Sequence, residues 1–121
     1  MLEFSPATPI FRIFDEDKAR EFYLGFLGFE VDFEHRLSDD APLYLGVSRD
    51  GFELHLSEHH GDGTPGARVR VQVSDIEELH AELSARKYKF NKPAILDQDW
   101  GHRELIVDDP FGNKVVFCEP K

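Results

Sequence analysis

Asp99-Trp100-Gly101-His102-Arg103-Glu104-Leu105-Ile106-Val107-Asp108-Asp109-Pro110-Phe111-Gly112-Asn113-Lys114-Val115-Val116-Phe117 is the stretch that decides how this chain is read. Two apolar runs, Leu105-Ile106-Val107 and Val115-Val116-Phe117, flank Asp109-Pro110-Phe111-Gly112. Proline presets φ at the second position of a turn, and glycine accepts positive φ, so the stretch predicts a loop followed by a β-hairpin. The single tryptophan stands at the mouth of that hairpin beside Gly101, whose missing Cβ lets the backbone approach a neighbour closely. The neighbour is either a ligand or the core.

Working outward, residues 10–14 read as a short apolar strand. Residues 15–27 carry helical signals: Asp15 as N-cap, acidic residues in the first turn, and Ala19, Phe22, Tyr23 and Phe26 at helical spacing. Gly28 follows as a C-terminal stop. In residues 29–36, Phe29, Val31 and Phe33 alternate with Glu30, Asp32 and Glu34, which predicts a half-buried strand. Strands follow over residues 41–48 and 52–57, joined by a turn at Arg49-Asp50-Gly51. Residues 58–66 form a glycine-rich linker. The second half repeats the order, with a strand over 67–73, a helix over 75–86, strand-like pieces at 88–90 and 93–96, and the final hairpin. Ile13-Phe14-Asp15 and Val73-Ser74-Asp75 each close a strand and open a helix, 60 residues apart. The chain therefore divides into two βαβββ modules, residues 1–60 and 61–121, each too small to bury a sheet face alone.

Composition narrows the function. Hydrophobic residues make up 40% of the 121, enough for a packed core, and no apolar run is long enough to span a bilayer. No basic segment followed by an apolar one opens the chain, and Cys118 is the lone cysteine, which together point to a reducing cytoplasm. With 24 acidic and 14 basic residues the net charge is −10, which repels phosphate backbones and excludes a nucleic-acid partner. The same charge attracts a cationic ligand, or simply keeps a small protein in solution.

In chain order, Phe22-Tyr23 with Leu27-Gly28-Phe29, Val73-Ser74-Asp75, Trp100-Gly101-His102-Arg103-Glu104 and Asp109-Pro110-Phe111-Gly112-Asn113 resemble the vicinal oxygen chelate superfamily. That superfamily includes glyoxalase I, extradiol dioxygenases, fosfomycin resistance proteins and bleomycin resistance proteins, and the Trp-Gly and Asp-Pro-x-Gly-Asn segments resemble the last of these. The resemblance implies an α+β fold in which two βαβββ modules form a curved, cleft-bearing eight-stranded sheet, completed in a homodimer.

The superfamily's enzymes hold a divalent ion with His or Glu side chains on the first and last strands of each module. The matching positions here are Thr8, Arg68, Val116 and one of Glu53 or His55. These do not make a donor set, so no metal and no cofactor is expected. The resemblance then implies a non-enzymatic protein that sequesters a cationic, aromatic, bleomycin-type antibiotic. Such a ligand calls for acidic groups and flat aromatic faces. Trp100, Gly101, Phe33, Asp32, His55 and Glu53 are the candidate ligand-binding residues. On an ideal strand Asp32 faces away from Phe33, and only a bulge or an edge position would let them share a ligand. Phe33 is otherwise a core residue and Trp100 a buried plug, while Arg103 and Glu104 either form an ion pair with each other or leave Glu104 pointing into the pocket. The alternatives are a metal-dependent glyoxalase- or dioxygenase-type enzyme built on Glu53 or His55, or a superfamily member with a different ligand.

Overall fold

A computed structural model of the chain describes residues 1–89 and 91–121. The first half runs β1 (Ile10–Arg12), α1 (Glu16–Arg20), a π-helical segment (Glu21–Phe26), β2 (Glu30–His35), β3 (Tyr44–Arg49) and β4 (Phe52–Ser57). The second runs β5 (Arg68–Gln72), α2 (Ile76–Ala85), β6 (Ile95–Asp97), β7 (His102–Asp108) and β8 (Lys114–Pro120). The eight strands form two four-stranded mixed sheets, ordered β1-β4-β3-β2 and β5-β8-β7-β6. In each the first strand pairs in parallel with the last. Of the expected piece at 88–90, Tyr88 and Lys89 lie outside any strand and Phe90 lies outside the described residues. Among the described residues no helix is long and apolar enough to cross a membrane.

The repeat is visible in the backbone. The N–H of Ile13 donates to the Ser57 carbonyl at 2.9 Å, and that of Val73 donates to the Cys118 carbonyl at 2.9 Å. Asp15 caps α1 by accepting from the Lys18 N–H, and Asp75 caps α2 by accepting from the Glu78 N–H. The first helix differs in its winding. Leu27 donates to the Phe22 carbonyl five residues back, at 2.9 Å. This wider turn brings residues five apart onto one face, so Phe22, Tyr23, Phe26 and Leu27 are all buried. Gly28 follows at φ +76°, as the stop signal predicts.

One core joins both halves. Phe11, Leu45, Val47, Leu54 and Leu56 of the first sheet, and Leu105, Val107, Val115 and Phe117 of the second, pack with residues of both helices. Each such side chain contributes about 1.5–3 kcal/mol by leaving water. The helices thus cover one face of each sheet and leave the other open.

The Asp-Pro-x-Gly-Asn segment does more than turn. Gly112 has the expected positive φ of +90°. Asp109 is buried, and its Oδ1 accepts from the Phe111 and Asn113 N–H groups, each at 2.8 Å. Its Oδ2 accepts from the Tyr23 hydroxyl at 2.7 Å, 86 residues away in sequence. Asn113 donates from Nδ2 to the Arg12 carbonyl at 3.0 Å. Burial, with the Asp109 charge adding to it, holds the Tyr23 hydroxyl well above its ordinary pKa, so it stays a proton donor to the carboxylate. The turn is therefore also a buried bolt between the modules. A second link lies nearer the surface, where Arg49 makes a two-pronged pair with Glu82 of α2 at 2.6 and 2.8 Å.

The half-buried strand expected over 29–36 is corrected. All of β2 is exposed, because it is the edge of its sheet and a β-bulge breaks its register between Val31 and Phe33. Phe111, at the tip of the final hairpin turn, is half-buried and packs against Phe14, with ring centroids 6.2 Å apart.

Candidate functional site

β4 alternates strictly. Leu54 and Leu56 enter the core, while Glu53, His55 and Ser57 share the opposite face. Opposite His55 in the register stand Ile10 on β1 and Gly46 on β3, and opposite Gly46 stands Phe33 on β2. Tyr44, two residues before Gly46, shares that face. Its ring stacks on Phe33 with centroids 6.1 Å apart and planes 14° apart. The His55 ring meets both edge-on at 5.2 Å. The Tyr44 hydroxyl lies 2.7 Å from His55 Nδ1. Burial, then the charge of Asp62, raises the Tyr44 hydroxyl above its ordinary pKa.

Gly46 makes the cluster possible. A Cβ placed there would come within 2.2 Å of Phe33 Cε1, so the glycine is the recess that receives the ring. The bulge supplies the second element. Asp32 is the unpaired residue between Val31 and Phe33, and its carboxylate accepts from Ser48 Oγ at 3.0 Å. Ser48 pairs with Glu53. Asp32, Phe33 and Glu53 therefore share one face, which ideal alternation would forbid for adjacent residues.

Four of the candidate residues, Asp32, Phe33, Glu53 and His55, thus gather on the open face of the first sheet. Phe33 is 43% exposed and is not a core residue. Trp100 and Gly101 sit apart, on the turn between β6 and β7 of the second sheet. Gly101 has φ +89°, and Trp100 is 61% exposed, which rules out the buried plug. Tyr44 was absent from the sequence-based candidates. Period-two alternation through Tyr44, Gly46 and Ser48 was the signal that could have placed it.

Arg103 and Glu104 do not pair with each other, because neighbours on a strand point to opposite faces. Arg103 reaches Glu77 of α2 at 2.8 Å. Glu104, 2% exposed, pairs with Arg70 and accepts from Gln98 Nε2 at 3.1 Å. The Arg70 guanidinium outweighs burial and lowers the Glu104 pKa.

The register also tests the family's metal positions. The matched Ile13–Ser57 and Val73–Cys118 bonds make Ile10 equivalent to Arg70 and His55 equivalent to Val116. Thr8 precedes β1 instead of lying in it. Two hydrocarbon side chains, a guanidinium and one imidazole already bonded to Tyr44 do not fit a divalent ion. Among the described residues no three His, Cys, Asp or Glu side chains gather to hold one.

This architecture is that of the glyoxalase/bleomycin-binding fold, and the chain belongs to the glyoxalase superfamily, whose family model matches residues 1–121. No curated protein matches the sequence. Among solved structures, it is similar to a bleomycin-binding protein from bleomycin-producing Streptomyces verticillus, complexed with copper(II)-bleomycin. The identity is 29% and the TM-score 0.73, over 100% of both chains. An antibiotic-binding protein from Streptomyces sp. CB03234 shares the fold at 20% identity and TM-score 0.71, over 100% of both chains. A glyoxalase/bleomycin resistance/dioxygenase superfamily member from Sphaerobacter thermophilus does so at 24% identity and TM-score 0.71, covering 98% of this chain and 99% of its own.

Proposed function

We propose that this protein binds and sequesters a cationic aromatic small molecule of the bleomycin class on the open face of its first sheet, in a cleft completed by a second copy. The observation that carries this reading is the β2 bulge. It sets the Asp32 carboxylate beside the Phe33–Tyr44–His55 ring cluster, and so joins charge and stacking surface in one place. The full-length similarity to a protein crystallised with copper(II)-bleomycin supports the same ligand class. Ile10, Phe33 and Leu96 leave apolar surface on the uncovered sheet faces, which supports burial against a partner chain. Trp100 then offers a second stacking plane from the end of the second sheet.

Titrating the purified protein with copper(II)-bleomycin tests this. A saturable rise in melting temperature at tens of micromolar ligand is expected, weaker at high salt and lost in Trp100→Ala. No rise at that concentration overturns the antibiotic reading. Sedimentation of the protein as a monomer at the same concentration overturns the shared cleft.

A further inference from the structure

On the helix side, away from the open sheet faces, lies a cleft of about 430 Å³ to which both halves contribute. Its apolar wall is Phe52 from the β3–β4 hairpin, Val71 and Val73 at the end of β5, and Leu79 from α2. Each of these is half-buried and shows part of its surface to the cleft. Its rim is acidic: Asp50, Asp75, Glu78 and Glu82 all line it. One cation, Arg49, stands among them. Its guanidinium is fully engaged, donating to both Glu82 oxygens and, at 2.8 Å, to the Leu27 carbonyl. The Glu82 charge is compensated in turn by Arg49 at 2.6 Å and Arg86 at 2.8 Å, and these pairs, Arg49 first, hold its pKa down. Asp75 and Glu78 form no ion pair with any described residue. The cleft therefore combines apolar walls with the Glu78 carboxylate beside Asp75, the α2 cap that accepts from the Glu78 N–H, at one lip, and Asp50, 3.8 Å from Arg49 Nε, at the other.

We infer that this cleft is a second binding site, for a small amphiphilic cation with an aromatic or alicyclic body and one ammonium group. The volume falls within the range of small-molecule pockets, about 300–1,000 Å³. Its charge pattern selects a cation, because an anion would face Asp75 and Glu78 with only a spent guanidinium to meet it. Both modules line the cleft, so an occupant ties them together. This inference does not depend on the sheet-face reading.

Tryptamine is a suitable probe, with indole-3-propionate as its anionic counterpart, titrated into the full ¹⁵N-labelled chain. Tryptamine should shift the amides of Gln72, Ser74, Asp75 and Leu79 with a common dissociation constant below about 1 mM. Indole-3-propionate should leave them in place. Glu78→Gln, at an exposed position, should weaken tryptamine about threefold to fivefold. Ser74→Trp, which fills the mouth, should abolish binding while keeping the folded spectrum. Equal response to the anion, unchanged affinity in both variants, or shifts confined to Phe33 and His55 would overturn the site. The last outcome would leave the sheet-face reading intact.

Discussion

The same ladder carries two different faces. Where the first sheet has Tyr44, Gly46 and His55, the second has Glu104, Ile106 and Val116 at the matching register. Ile10 is matched by Arg70. In the second sheet the Arg70 guanidinium folds over to the buried Glu104, Gln98 closes the pair, and Val116 lies beneath. That face satisfies itself. In the first sheet, Gly46 removes the side chain that would fill the centre, and the Phe33 ring lies in its place with much of its surface in water. Stacking surface, an imidazole and two carboxylates stay available there. Duplication of a module thus sets the frame, and side-chain content decides that one copy leaves an open aromatic face while the other closes its own with an ion pair.

The comparison holds only while both modules share one core, so breaking their junction has the largest expected effect. Asp109→Ala removes a buried carboxylate that accepts from Tyr23, Phe111 and Asn113. It leaves the Tyr23 hydroxyl without its acceptor. The expected loss is about 3 kcal/mol or more in urea unfolding, since buried bonds to a charged acceptor contribute about 1.5–3 kcal/mol each. Tyr23→Phe removes only the hydroxyl and should cost about 1–2 kcal/mol. An Asp109→Ala loss no larger than that of Tyr23→Phe would mean the segment is a turn and nothing more.

That segment shows where the sequence is legible. Proline and glycine spacing announces its turn, and the two apolar runs announce its hairpin. Asp15 and Asp75 announce the repeat, because an N-cap acts on its own first turn. All of these are local effects. The partner of Asp109 lies in the other module, and local chemistry holds no trace of it. The site fails in a like manner. Alternation places Glu53 and His55 on one face, as the structure has them, but a bulge adds a residue to a strand without changing its composition. Asp32 could therefore be placed beside Phe33 only conditionally. Phe33 itself looks like a core residue because edge position is a property of the sheet, not of the strand.

The sheet faces separate more finely. Phe33→Ala removes the stacking ring at a site that is 43% exposed. Ligand affinity should fall about tenfold or more, a hot-spot loss, while the melting temperature changes little. Gly46→Ala attacks the same ring from below. The new Cβ displaces the Phe33 ring, and strain of this kind typically costs about 1–3 kcal/mol. Affinity should fall alongside stability. Ile106→Ala, at the equivalent point of the second sheet, should cost stability without touching affinity. Should calorimetry show Ile106→Ala weakening the ligand as much as Gly46→Ala, the two faces do equal work and the asymmetry is lost.

The smallest expected effect concerns pH and sharpens the bracing role of the second face. Arg70 holds the Glu104 pKa below its ordinary value of 4.5. A carboxylate depressed in the folded state stabilises the fold above its unfolded pKa. That contribution disappears as pH falls through the lower, folded value, where the folded chain also takes up the proton. The window therefore opens near pH 4.5 and extends downward, leaving neutral stability insensitive to pH through this group. Glu104→Gln keeps the side-chain shape and one acceptor oxygen for Arg70, turns an amide donor toward Gln98, and cannot titrate. Its stability at neutral pH should be lower than that of the parent chain, and the two curves should converge as acid is added. Ligand affinity at the first face should be the same in both proteins at neutral pH. Parallel stability curves through the acid range would mean that the guanidinium does not discriminate between the two protonation states of Glu104. The second face would then be held by Val116 and its apolar neighbours alone.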